Sequence, residues 1–345
     1  MKDKVTIKRV IIYLIFAFAI TYLYEFLILF PEWKQIQSIG AVNVAPVMLF
    51  PALSVVITRL VTREGFSDNK LDPNFKKGKR LYYIFAWILP PVLTVAGVLI
   101  YFLIFGAEFS WEMEYYMGIL SKQGADVSVS VIRKSLLSSV LSSLIFAPVL
   151  NVVTCFGEEW GWRGYLLPKL MKLTGIVPTL IISGIIWGLW HLPLTIMGHN
   201  YGTSYMGYPI TGIIAMCLFC FVMGVLISYV TIKTGSVWPA VIAHGSLNGF
   251  ASLGIYFTKD GGNPFVGPSI TGIISGLPFI IPAVIAFISL VKDPSEAMEI
   301  TEEKKHADDP EKIQVREAQM PIPKEMGENS DTKGDKGSNE DGSKE

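Results

Sequence analysis

Glu158 and Glu159 stand side by side in CFGEEWGWRGYLLPKL, and Arg163 follows Glu159 by four residues, the spacing of an ion pair on one helix face. That pair accounts for one carboxylate and leaves the other without a partner. His191 lies in IISGIIWGLWHLPLTIMGH behind Trp187 and Trp190, while His244 and Asn248 are four residues apart in SVWPAVIAHGSLNGF, flanked by Gly245 and Gly249. Taken singly, each motif has a plain structural reading: a helix leaving the membrane, a core histidine, a packing hydrogen bond beside small residues. Together they hold nearly all the strongly polar groups of a long apolar stretch, where a charge costs about 3 kcal/mol and needs a partner. Carboxylates and an imidazole can take a proton from water, and a second imidazole with a carboxamide can donate to an oxyanion. This is the inventory of peptide hydrolysis, with no serine or cysteine nucleophile required. Two other protease chemistries lack their residues. An aspartyl site needs two membrane aspartates, yet Asp260 is the only one between Leu136 and Val291, and the zincin pattern H-E-x-x-H does not occur.

The elements that must position these groups are membrane helices. Of 345 residues, 51% are hydrophobic and 17% charged, with a mean hydropathy of +0.45, whereas a soluble domain has about 25% charged residues. The composition predicts an all-α fold, a polytopic membrane helix bundle. A window of about 20 apolar residues finds about eight spans, over 10–30, 41–58, 81–105, 136–156, 176–197, 211–232, 237–257 and 270–291. The first is not a cleaved signal peptide, since its apolar core is too long and no small-residue cleavage site follows. Lys2, Lys4, Lys8 and Arg9 precede it. The second loop holds Arg59, Arg63, Lys70, Lys76, Lys77, Lys79 and Arg80, against Lys34 alone in the first. This asymmetry predicts that both termini and the second loop are cytoplasmic. Arg163, Lys169 and Lys172 agree with it, and the outside segment 197–209 has no Lys or Arg. The 29 residues of 106–134 then form an outside loop with room for a surface helix bearing Trp111, Tyr115 and Tyr116 at headgroup level.

Lys plus Arg and Asp plus Glu are 29 each, but the balance joins a body at +7 to a segment at −7 that starts at Lys292. The body is too apolar and too weakly basic for a nucleic-acid binder. From Lys292 onward the chain is polar and poor in large apolar residues, which predicts a disordered cytoplasmic tail. Cys155, Cys217 and Cys220 are odd in number and lie in apolar runs, so they read as buried thiols rather than a disulfide framework. The C-x-x-C in MCLFCFVMG lacks the context of a redox motif. No internal repeat suggests the duplicated halves of a transporter.

The order E-E-x-x-x-R, aromatic-x-x-x-H and H-x-x-x-N, each on its own membrane helix, resembles the CPBP family of intramembrane proteases, also called the Abi or CAAX-protease family. The matching residues are Glu158, Glu159 and Arg163, then His191, then His244 and Asn248, and the likeness covers about 147–257. The family's second motif commonly begins with Phe. Position 187 is Trp here, which keeps an aromatic wall. The resemblance implies a water-accessible cavity open toward the cytoplasmic leaflet, with Glu158 and His191 polarising the attacking water. It further implies that His244 with Asn248 stabilises the oxyanion and that Glu159 orients the site through Arg163. The family is often labelled metallo, and Glu158, His191 and His244 could hold zinc with one position open. Asn248 is a poor zinc ligand, so a glutamate-dependent site that requires no cofactor is the leading expectation.

The expected function is an intramembrane endopeptidase of a cell membrane, crossing it many times, whose partners are the bilayer and a membrane-associated protein or peptide substrate. Family relatives that serve in bacteriocin immunity or as scaffolds imply a non-proteolytic alternative. An ion-coupled transporter using Glu and His as a relay is a third. The expected organisation is 1–134 for the first three spans and the outside loop, 135–291 for the protease core with its family-like part in spans four to seven, and 292–345 for the tail.

Overall fold

The computed structural model describes residues 2–31, 44–76, 78–125 and 127–295. Lys34, Lys77 and the segment from 296 onward, with the expectation of a disordered tail, lie outside the described residues. Helix α1 (Lys2–Tyr24) runs on into a π-turn, Glu25–Leu29. A tight turn, Ala45–Leu49, leads into α2 (Phe50–Thr62), followed by α3 (Arg80–Ile104), α4 (Glu114–Lys122) and α5 (Val129–Leu150). Next come α6 (Val152–Glu159), a π-turn over Trp160–Leu166, α7 (Leu167–Thr174), α8 (Ile176–Trp190) and α9 (Leu192–Ile196). The last three are α10 (Ile210–Thr234), α11 (Trp238–Phe250) and α12 (Ile280–Lys292). Among the described residues the only β pairing is an isolated bridge between Phe109 and Thr258, so the chain is all-α as expected.

Among the described residues, five stretches are long and apolar enough to cross a membrane: Asp3–Leu29, Ala45–Thr62, Arg80–Ile104, Val129–Leu150 and Ile210–Thr234. The chain is therefore a multi-pass membrane protein. The fifth, seventh and eighth expected spans are shorter than the hydropathy window drew them. Helix α8 stops at Trp190, and Pro193, which has no N–H for the carbonyl of Leu189 four residues earlier, stands in the first turn of α9. Helix α11 has 13 residues. Helix α12 begins only after Gly267, Pro268, Gly272, Gly276 and Pro278 have kept the preceding chain irregular.

The fourth span also departs from expectation, and its break positions the site. Helix α5 starts at Val129 and ends at Leu150, and Asn151 separates it from α6. Pro148 has no N–H for the carbonyl of Leu144 four residues earlier. The Trp87 indole of α3 donates to that carbonyl at 2.7 Å. The Asn151 side chain donates to Ala147 O at 2.9 Å and to Gly245 O of α11 at 3.3 Å, which ties the break to α11.

Lipid supplies no hydrophobic drive between spans, so close approach of backbones must hold them together. A Cβ on Gly184 would stand 2.6 Å from Phe221 Cα, and one on Gly188 2.5 Å from Cys217 Cα, so α8 and α10 meet along a seam that only glycine admits. At one end of the bundle the α2–α3 loop is strapped to the site helices. The indoles of Trp160 and Trp238 donate to Asn69 O at 3.0 Å and Leu71 O at 2.8 Å, and Val237 N donates to Lys70 O at 3.0 Å. The buried Arg59 guanidinium donates to Gly65 O at 2.6 Å and Asp68 at 2.8 Å, while Glu64 gathers Lys169 at 2.6 Å and the Tyr165 hydroxyl at 2.8 Å. Burial pushes the Asp68 carboxyl up, but Lys169, Arg59 and Lys70 outweigh it and hold the group below the usual carboxylate range. In the 106–134 segment, α4 supplies the expected short helix, and Trp111 stacks on Phe257 at 6.0 Å.

Candidate active site

Glu158 and Glu159 end helix α6, and both are buried because the helix is pressed into the bundle. A Cβ on Gly157 would lie 2.8 Å from Leu49 Cα, so the approach of α6 to the Ala45–Leu49 turn needs glycine there. Around the carboxylates, Trp160, Phe156 and Trp238 form a stack with ring spacings of 5.6 and 5.4 Å.

Each carboxylate has a different partner set. Glu159 Oε1 accepts from His244 Nδ1 at 2.8 Å, and Arg163 Nη1 lies 3.2 Å from that oxygen and 3.0 Å from Oε2. The i,i+4 spacing thus closes an ion pair even though Arg163 sits in the π-turn. Its guanidinium also lies 4.2 Å from the centre of the Trp187 ring, a cation–π contact. Glu158 Oε2 accepts from the Trp187 indole Nε1 at 2.9 Å. The same ring stands 5.8 Å from the His191 ring and 5.7 Å, edge-on, from that of His244.

His191 occupies the joint between α8 and α9. Its backbone N–H turns tightly to Gly188 O at 3.2 Å, which leaves the Trp187 carbonyl without the usual helical donor. The His191 ring takes up that carbonyl, with Nδ1 2.8 Å from Trp187 O. A carbonyl only accepts, so Nδ1 carries the hydrogen and the lone pair is on Nε2. Cys220 Sγ lies 3.9 Å from the same Nδ1.

Of the six residues singled out by sequence, Glu158, Glu159, Arg163, His191 and His244 are joined directly or through Trp187. Asn248, one turn beyond His244, keeps an accessible side chain and lies 3.7 Å from Cys155 Sγ. Glu159 holds His244 as well as Arg163, a link across 85 residues with no trace in local spacing. Trp187 is the residue that sequence reasoning underrates. W-x-x-x-H already puts it on one helical face with His191, but nothing local announces the bond from its N–H to Glu158.

Zinc does not fit this donor set. Among the described residues no three His, Cys, Asp or Glu side chains converge as metal ligands.

Residues 133–250 match the family model described as type II CAAX prenyl endopeptidase, Rce1-like. The CAAX prenyl protease 2 of Methanococcus maripaludis is 31% identical over 106 residues, 30% of this chain and 39% of the relative. The chain thus matches well under half the length of that curated relative. All six polar residues of the site fall inside the matched segment, so the likeness to the CAAX prenyl endopeptidase family covers residues 133–250 and takes in the whole candidate site.

Proposed function

We propose that the chain is a membrane endopeptidase that cuts a peptide bond with activated water. Its substrate would be of the kind the relative's name states, a protein whose C-terminal CAAX motif carries a prenyl group on cysteine. The observation that carries this reading is the meeting of two buried carboxylates and two imidazoles around Trp187. In this reading 135–291 carries the chemistry, 1–134 braces it, and both termini and the α2–α3 loop are cytoplasmic.

Water is held between Glu158 and the Nε2 lone pair of His191. As its oxygen adds to the carbonyl carbon, its proton passes to Glu158. His244 carries hydrogens on both ring nitrogens, giving Nδ1–H to Glu159 and Nε2–H to the oxyanion, and the Asn248 amide is the second donor. Glu159, itself held by Arg163, fixes the imidazole. Collapse of the oxyanion breaks the C–N bond, and the proton on Glu158 moves to the leaving amine.

The test uses the full chain in lipid nanodiscs with a prenylated peptide ending in a CAAX motif, followed by mass spectrometry. The wild type should release the C-terminal fragment, and Glu158→Ala, folded and pure, should release none. An intact peptide after incubation with folded wild type refutes the reading, and binding without cleavage favours the scaffold alternative.

A further inference from the structure

We propose that Trp187 is a positioning residue that holds both water-activating groups, Glu158 through its indole N–H and His191 through its main-chain carbonyl. The kinetic part of this inference rests on the endopeptidase reading. The two bonds are 2.9 and 2.8 Å long, and they leave from one residue that is itself buried. A rotamer change at Trp187 would release Glu158 while the main-chain carbonyl still held His191. The indole is locked in turn, because Arg163 covers its ring at 4.2 Å and Glu159 anchors Arg163 at 3.0 Å. Side-chain freedom at Glu158 would otherwise include rotamers that take the carboxylate away from the attacking water. A donor on one oxygen removes that freedom and leaves the other oxygen for the proton. The backbone half needs only a carbonyl, so any residue supplies it. The indole half needs a flat ring that accepts the guanidinium on its face and carries an N–H at its edge, and among the natural side chains tryptophan combines these at this size.

Two substitutions isolate the N–H. Trp187→Phe keeps an aromatic face, and 3-benzothienylalanine placed at 187 by codon suppression keeps the ring size while replacing N–H by sulfur. Each should lower kcat about 10- to 100-fold, the effect of losing a hydrogen bond to a charged group, with KM within about threefold, a split that a merely structural role would not produce. The second variant covers the case in which Trp187→Phe fails to fold. Ultraviolet resonance Raman difference spectra, wild type minus benzothienyl variant, isolate the Trp187 N–H band. It should report a bonded indole in the wild type and a free one when both proteins carry Glu158→Ala. Wild-type kcat in the benzothienyl variant, a change confined to KM, or a free N–H in the wild type each overturns the inference. A wild type that cleaves nothing sinks the endopeptidase reading and the kinetic half with it, while the Raman pair still decides whether Trp187 holds Glu158.

Discussion

Glu158 and Glu159 are adjacent and equally buried, yet alanine at the two positions should cost very different amounts of stability. Glu159→Ala strands the Arg163 guanidinium, which is only 4% exposed, and the Nδ1–H of His244, 2.8 Å from the lost oxygen. Removing one partner of a buried ion pair costs about 3–5 kcal/mol. The Trp187 face, 4.2 Å from the guanidinium, still solvates the cation by about 1–2 kcal/mol, so the net loss should be about 3 kcal/mol. Glu158→Ala strands one indole N–H, worth about 1–3 kcal/mol, but it also removes a carboxylate whose burial costs a comparable amount. The net change there should be about 1 kcal/mol or less. Both variants should lose peptide cleavage. Unfolding in mixed micelles by titration with dodecyl sulfate, followed by tryptophan fluorescence, measures the difference, expected at about 2 kcal/mol or more. Equal destabilisation of the two variants, or a Glu158 variant less stable than the Glu159 one, would refute the division of labour between a reacting carboxylate and an anchoring one.

Gly188→Val should destabilise the protein by at least about 2 kcal/mol through overpacking, because its Cβ would sit 2.5 Å from Cys217 Cα; wild-type yield and stability would mean that the α8–α10 seam can open. Asp68, held below the usual carboxylate range, contributes stability that is complete above its unfolded pKa of about 4 and is lost as pH falls through the lower folded value. Asp68→Asn should therefore lower stability at neutral pH and flatten the acid side of the profile, and an unchanged acid-unfolding curve would show the pairing to be idle. A Ser128→Cys probe in a background without the three native cysteines should react with an impermeant maleimide on intact cells; reaction only after permeabilisation would invert the topology. Cleavage should survive 1,10-phenanthroline, since among the described residues no three His, Cys, Asp or Glu side chains converge as metal ligands, and activity lost to the chelator and restored by zinc would reassign the site.

What the residues reveal on their own follows the range of the forces involved. Apolar runs of 25 residues such as α3 and α10 announce themselves, because a bilayer demands about 20 apolar residues of any helix that spans it. Helices α8, α11 and α12 were overextended by the same window, which registers apolarity but not the breaks set by Pro193 or by the glycines before Leu277. The Glu159–Arg163 pair is legible since i,i+4 is a property of one helix. Glu159 to His244 and Trp187 to Glu158 are tertiary bonds, and they depend on where Gly157 lets α6 settle and where Asn151 breaks the chain. No local pattern encodes either. The candidate polar residues and their one local pair are therefore visible in the sequence, while their tertiary partners are not.

The bond from Trp87 to Leu144 O has a consequence for how this sequence can drift. Trp87 serves a carbonyl that is vacant only because Pro148 is a proline. The two positions are 61 apart in the chain, yet their histories are ordered. If Pro148 is exchanged first for a residue with an N–H, the helix can satisfy Leu144 itself, and Trp87 becomes free to vary. If Trp87 is lost first, the carbonyl is orphaned in an environment without water, and the lineage carries that defect until Pro148 changes too. Substitution in the one order passes through a sound intermediate, in the other through a damaged one. Sequences descended from this one should accordingly be found with both residues, with neither, or with the tryptophan alone, and seldom with the proline alone.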